Sequence, residues 1–434
     1  MSALRRRTAG VSMFTMAALM LGVFTVSVGF GIVLPLLPYL IERLAGAGVD
    51  AAQVSRHTGL LTAVYTLALF LFAPLWGRLA DRRGPRDVLL VGLLGFSVTM
   101  LIFSFVETLT AVYAQRFLSG VFAAAVTPIA AAVIGNFTTS EHERARRLSF
   151  VSMAGIAGFL LGPMLGVFIA RFAAEFYTRT ALAGSVAIPL AATAVFAFLV
   201  ACVLAFAVPG GEGRSRPHET IGAKGDGHGW LIARLLVLTG IVSAGVGVFE
   251  VGLALRGKLE LGLTAYQIAL MFTECSVVMF VVQAIVFSPW LKPDMTRWLI
   301  APGLSVLTAG LFLVPWASTF IGMLIAIGAV AASAGILSPI LTYWISAKAA
   351  NAQGWELGKQ TAAASLGVTV GSVAGGLLFN LAFLPGASFL LTAGLTLVGF
   401  LFSLGLPLRL ALSPSRTRTP NTATKHAVDP ETDV

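Results

Sequence analysis

The feature that most constrains this chain is a succession of apolar runs, each near the length that crosses a lipid bilayer. About 20 apolar residues span the hydrocarbon core as a helix. Windows of that size fall at 12–40, 57–76, 88–106, 111–136, 149–171, 183–208, 231–255, 265–290, 297–316, 319–345, 360–384 and 388–409. The runs are continuous rather than alternating, which predicts helices and not barrel strands. Only 11% of the 434 residues are charged and 57% are hydrophobic, whereas a soluble domain carries about 25% charge. So little polar surface cannot cover a water-soluble core. The expected fold class is all-α membrane, with twelve transmembrane helices. The start, "MSALRRRTAG" and the apolar residues after it, has the order of a signal peptide. The apolar run continues through "GFGIVLPLLPYL", too long for a signal segment, so an uncleaved first helix is expected.

Lys and Arg orient the spans. With the N-terminus inside, 22 of the 29 basic residues lie in inward segments, 6 lie in outward ones, and Arg116 falls within a span. Cytoplasmic segments retain Lys and Arg, so both termini are expected in the cytoplasm. The same bias explains the net charge of +10 without a nucleic-acid partner.

Residues 209–229, "PGGEGRSRPHETIGAKGDGHG", are polar and Gly-rich, the composition of a flexible linker. Six spans precede them and six follow. The expected organisation is an N-terminal six-helix bundle (1–208), a cytoplasmic linker (209–229), a C-terminal six-helix bundle (230–409) and a disordered tail (410–434). Faint echoes connect the halves. "VGFG" at Val28–Gly31 matches "AGVG" at Ala244–Gly247, and Trp76 matches Trp290. Pro128 precedes Gly155 by 27 residues, and Pro339 precedes Gly367 by 28. Internal repeats of this kind characterise secondary transporters, whose substrate site lies between the repeats.

The stretch "GRLADRRGPRDVLL", Gly77–Leu90, concentrates charge between two spans. Positive-inside anchoring accounts for Arg82, Arg83 and Arg86, but not for the acid Asp81 or for Gly77 and Gly84. The run Gly77–Arg86 resembles motif A of the major facilitator superfamily, with Pro85 in a usually basic place. "RFLSG", Arg116–Gly120, resembles motif B. "GFLLGPMLG", Gly158–Gly166, resembles motif C of the drug/proton antiporter branch, although Val167 replaces a second glycine. "GFGIVLPLLP" carries Pro35 and Pro38 as that branch often does. The specific motifs all lie in the first half, and span count and linker extend the likeness to the whole chain.

The resemblance implies the major facilitator fold, two pseudo-symmetric six-helix bundles working by alternating access. It implies that Gly77, Asp81, Arg82, Gly84 and Arg86 form a gating latch. In that latch Asp81 faces the start of span eleven near Gly358–Thr361, where a helix N-terminus favours a carboxylate, and Arg82 or Arg86 pairs with the acid. It also implies a role for Arg116 in proton coupling; a position near the headgroups is the alternative. Gly158, Gly162, Pro163 and Gly166, with Gly155 upstream, make a small-residue face for close helix packing, and Pro163 bends span five.

Arg116, Glu250 and Glu274 sit inside spans, where an unpaired charge costs at least about 2.5–3.5 kcal/mol at mid-bilayer. Each should therefore face a cavity or a partner. Glu274, near the middle of span eight, is the first candidate for a protonatable or substrate-binding group. Glu250 either joins it or forms a structural ion pair with Arg256 or Lys258. A carboxyl withdrawn from water takes up a proton more readily, as a proton-coupled carrier requires. Span one contains no acid, so Glu250 and Glu274 carry that duty. Gln115, Gln283 and Asn380 either hydrogen-bond a substrate or join helices. Glu42, Asp50 and Glu107 are assigned no role. Cys202 and Cys275 are small buried hydrophobes, and the five histidines fall outside the spans or at their ends, so neither a metal site nor a cofactor is expected.

The functional expectation is a monomeric secondary active transporter in a bacterial inner membrane, exporting a small solute in exchange for protons. The alternatives are a carrier of a polar metabolite, a metal ion such as iron, or a metal chelate. More distant is a non-transporting receptor or scaffold. No Walker A loop, HExxH or nucleophile elbow occurs, which disfavours an ATP-driven pump or an enzyme.

Overall fold

The computed structural model describes residues 12–46, 48–137, 141–176, 187–208, 228–286, 293–348, 353–381, 384 and 386–412; the side chains of Asp81 and several other residues within these stretches lie outside the description. The first half comprises α1 (Met13–Ala45), α2 (Ala51–Arg83), α3 (Pro85–Phe103), α4 (Leu109–Ala123), α5 (Val126–Phe137), α6 (Glu141–Phe176) and α7 (Ala187–Ala207). The second comprises α8 (His228–Leu255), α9 (Ala265–Val286), α10 (Ile300–Leu313), α11 (Phe320–Lys348), α12 (Gln353–Leu377), α13 (Ala387–Ser403) and the short α14 (Leu406–Leu412). A π-helical turn, Arg256–Glu260, extends α8. Among the described residues no strand occurs. Helices α4 and α5 together make span four. Pro128 lacks the N–H that would bond the Ala124 carbonyl, and the helix breaks at residues 124–125.

Ten segments are long and apolar enough to cross a membrane. Helices α12 and α13 raise the number to the twelve expected. Helix α12 is less apolar because glycine, serine and threonine replace the large hydrophobes. These small residues serve packing instead.

Of the expected linker (209–229) and tail (410–434), residues 209–227 and 413–434 lie outside the described residues, whereas residues 228–229 already belong to α8 and residues 410–412 to α14. The ends of α7 and α13 and the start of α8 mark one end of the molecule, here the linker end; the turns after α1 and α12 mark the distal end.

Within the first half α1 packs on α6 and α7, and α3 on α7. Within the second, α8 packs on α12, and α11 on α9 and α10. Across the halves α2 meets α12 and α6 meets α9. These two cross-contacts exchange under the pseudo-twofold relation that turns span two into span eight and span five into span eleven.

Glycine spacing produces the tightest of these contacts. A side chain at Gly162 would begin 2.7 Å from the Val28 carbonyl and 3.1 Å from Gly31 Cα, and one at Gly166 would meet Ile32 at 3.1 Å. Gly158 lies against Phe24 and Ser27. The second half repeats the arrangement, with Gly367 against Gly240 and Ser243, Gly371 against Ala244, and Gly375 against Val248. The motif-C face therefore has a counterpart at Gly367, Gly371 and Gly375. The expected pairing of Gly155 with Gly367 needs correction: the residue that packs as Gly367 does is Gly158. Pro163 leaves the Phe159 carbonyl without its helical partner, and that oxygen faces Gly31, 2.9 Å from where a side chain there would start. Helix α6 nevertheless runs unbroken past Pro163.

Candidate functional site

A cavity of about 210 Å³ lies between α6 of the first half and α8, α9 and α11 of the second. Glu250 contributes its only ionisable oxygen pair, and Phe159, Phe249, Phe272 and Met279 are among its apolar walls. Glu274 projects from α9 toward α11, where its Oε1 lies 3.6 Å from the point at which a side chain on Gly328 would begin. The absent side chain at Gly328 leaves that space open. Oε2 of Glu250 and Oε2 of Glu274 are both buried without a hydrogen-bond partner. Both carboxyls are close enough to the Cys275 thiol, itself in the cavity wall, to interact with it electrostatically.

The alternative in which Glu250 forms an ion pair with Arg256 or Lys258 is not what the structure shows. Arg256 pairs with Glu260 at 2.7 Å, and its Nη2 donates to the carbonyls of Pro315 and Ala317 at 2.8 and 3.0 Å. Lys258 reaches across to the first half, where its ammonium pairs with Glu42 and donates to the Pro38 carbonyl at 3.1 Å. The same ammonium lies 4.3 Å from the Tyr39 ring centroid, and the Tyr39 hydroxyl donates to the Leu263 carbonyl at 2.5 Å. Glu42, assigned no role from the sequence, therefore binds the two halves together at the distal end. No local signal marked it, because its partner stands 216 residues away.

Helices α2 and α12 meet in the distal half with almost no side chain between them. A side chain on Gly59 would start 2.6 Å from Gly376 Cα. Asn380 Nδ2 donates to Ser55 Oγ at 2.9 Å, and the Thr66 and Thr369 hydroxyls share a hydrogen bond of 2.9 Å. Asn380 thus joins the halves. Gln115 acts as helix glue inside the first half, its Nε2 donating to the Thr99 carbonyl at 3.3 Å.

Arg116 does not reach out to the surface of the bundle. It is 1% exposed within the first half, its guanidinium 4.4 Å from the Tyr65 ring centroid and 5.8 Å from that of Phe30. Its Nε and Nη2 have no hydrogen-bond partner. Cation–π attraction strengthens when water is excluded, so two aromatic faces occupy the place a carboxylate would take. A ladder of rings continues from there, Tyr65 on Phe30 at 5.1 Å, Phe30 on Phe159 at 5.8 Å, and Phe159 on Phe272 across the halves at 6.4 Å. Arg116 and the cavity are thereby joined through contiguous aromatic packing. Tyr65 and Phe30 escaped sequence reasoning, since aromatic residues in apolar helices are ordinary.

The Gly77–Arg86 cluster lies mostly on helix rather than in a loop. Helix α2 runs to Arg83, the turn is the single residue Gly84 at φ 96°, and its N–H caps the helix by donating to the Ala80 carbonyl at 2.9 Å. Only glycine adopts that backbone without strain. Pro85 opens α3 at its first position, where a missing N–H costs nothing. That accounts for the departure from the motif. Arg82 is exposed, and space around Gly77 and Gly358 is open. Arg86 donates to the Ala205 carbonyl near the end of α7. The Asp81 side chain, on which the latch depends, lies outside the described residues.

A family model described as Major Facilitator Superfamily matches residues 19–355. The chain belongs to the Major Facilitator Superfamily. It is accordingly an integral membrane transporter and not an enzyme. Among curated relatives it is 28% identical to multidrug resistance protein 1 of Bacillus subtilis over 377 residues, which is 85% of this chain and 90% of that protein. It is 35% identical to the class G tetracycline resistance protein of Vibrio anguillarum over 179 residues, 41% of each chain. Among solved structures the human organic anion transporter MFSD10 superposes with a TM-score of 0.68 at 19% identity, covering 90% of this chain and 99% of that one. The superfamily fold explains why the cavity sits where it does, at the seam between the two halves.

Proposed function

We propose that this transporter is a proton-coupled exporter of lipophilic cations, working by alternating access. The observation that carries this is the pair of half-buried carboxyls, Glu250 and Glu274, each with its Oε2 buried and unpartnered, beside an otherwise apolar cavity at the seam. Apolar and aromatic walls bind the body of an amphiphilic solute, while a carboxylate neutralises its charge and must be desolvated to do so. A proton and a cation cannot both occupy the same carboxylate oxygens, so loading one releases the other, and exchange follows. The likeness to multidrug and tetracycline resistance proteins supports this reading. No observation favours a metal ion: among the described residues no three His, Cys, Asp or Glu gather.

In the proposed cycle, Glu42–Lys258 and the α2–α12 contact hold the distal side closed. On the linker side Asp81 serves as the latch, supported by Gly77, Arg82, Gly84 and Arg86, and Arg116 couples the first half to the cavity through its ring stack. The termini lie in the cytoplasm of a bacterial cell, in the inner membrane, and the monomer is the working unit. The test is flux of a fluorescent lipophilic cation in proteoliposomes with and without a pH gradient. Wild type concentrates the dye only under the gradient. Glu274→Gln and Glu250→Gln fall to the level of empty vesicles, and gradient-driven uptake at the wild-type rate in both would sink the proposal.

A further inference from the structure

A second cluster of unbalanced charge stands at the linker end, far from the cavity. Trp230, at the start of α8, is half-exposed and is flanked by two guanidinium groups, Arg234 at 5.3 Å and Arg409 at 4.9 Å from its ring centroid. Arg234 is 8% exposed. One of its Nη groups donates to the Phe402 carbonyl at the end of α13, and its Nε is buried without a partner. Arg409, on α14, is exposed, and its charge acts repulsively on Arg234. Among the described residues no acid is paired with either. Two like charges held around one indole, one of them buried, make a place that favours an anion.

Beside this cluster the surface is apolar, with Leu404 54% and Leu408 61% exposed. A tryptophan with basic neighbours above exposed leucines is the arrangement found where hydrocarbon meets headgroups. An inorganic anion uses only the charged part of such a place. A phospholipid uses both, its phosphate between the guanidinium groups and its chains along the leucines.

We propose that Trp230, Arg234 and Arg409 form a seat for the phosphate of an anionic phospholipid in the leaflet at the linker end. Such a lipid bridges the start of α8 to α13 and α14, and so braces the second half where the chain enters it from the linker. The seat is independent of the transport cavity and of its substrate.

Quenching of tryptophan fluorescence tests it in the full-length protein, reconstituted with phospholipids brominated on the acyl chains. The Trp230 signal is the difference between wild type and Trp230→Phe. Brominated phosphatidylglycerol should quench that component at about fivefold lower mole fraction than brominated phosphatidylcholine, the preference one basic residue confers at an anionic surface. Arg409→Gln should weaken the preference and Arg409→Lys, which keeps the charge, should retain it. Gel filtration of each variant confirms the fold. Equal quenching by the two lipids in wild type overturns the proposal, as does an undiminished preference in Arg409→Gln. If inorganic phosphate removes the preference where chloride of equal ionic strength does not, the seat takes free phosphate and the lipid assignment fails.

Discussion

The ammonium of Lys258, on the π-turn that ends α8, is paired with the carboxylate of Glu42 on α1, and this ion pair ties the two halves together at the distal end. Lys258 is 9% exposed and Glu42 54%. The pair is partly wet, and its worth comes from what surrounds it, the Tyr39 ring and the Pro38 carbonyl on the same ammonium.

Breaking the pair should let the distal side open more often. Exposed ion pairs contribute about 0.2–1 kcal/mol, which is up to about fivefold in an opening equilibrium. Cys275 in the cavity wall is a natural reporter once Cys202 is replaced by alanine. Glu42→Gln should speed alkylation of Cys275 by an impermeant maleimide supplied from the distal side. The swap Glu42→Lys with Lys258→Glu should slow it again. An unchanged rate in Glu42→Gln would show that the pair does not guard that side.

Glycine at the motif-C face is set by distance and not by flexibility. Gly162→Ala puts a methyl group 2.7 Å from the Val28 carbonyl. Overpacking costs about 1–3 kcal/mol, more than the roughly 1 kcal/mol that alanine gains over glycine in a helix. Thermal unfolding in detergent should show a lower midpoint. Gly394→Ala, with open space around it, should show none of that loss.

Tyr65 should matter to Arg116 through its ring and not its hydroxyl. Tyr65→Phe keeps the face and should fold and transport as wild type does. Tyr65→Leu removes it and leaves a desolvated guanidinium, at a cost of about 2 kcal/mol. Loss of monodisperse protein on mild heating measures the difference, and equal behaviour of the two variants would remove the cation–π contact from the account.

Asp81→Asn should abolish transport while leaving membrane insertion and purified yield intact. Flux in proteoliposomes measures it, and normal flux would count against a latch at the linker end.

Sequence alone determined the class of fold. Apolar run length fixes a helix in lipid because no other local structure satisfies its own backbone there. That principle carried the twelve spans and the search for charges inside them, and the Gly77–Arg86 pattern carried the family. It could not determine which charges were balanced. Glu250 had two cations downstream, but the π-turn and the path of α8 sent Arg256 to the 315–317 loop and Lys258 to Glu42, so Glu250 stayed alone in the cavity wall. Arg116 was legible as a buried charge, yet the rings that hold it come from two other helices. Ion pairs and cavities depend on groups hundreds of residues apart approaching within a few ångströms, and only the packed tertiary structure sets those distances.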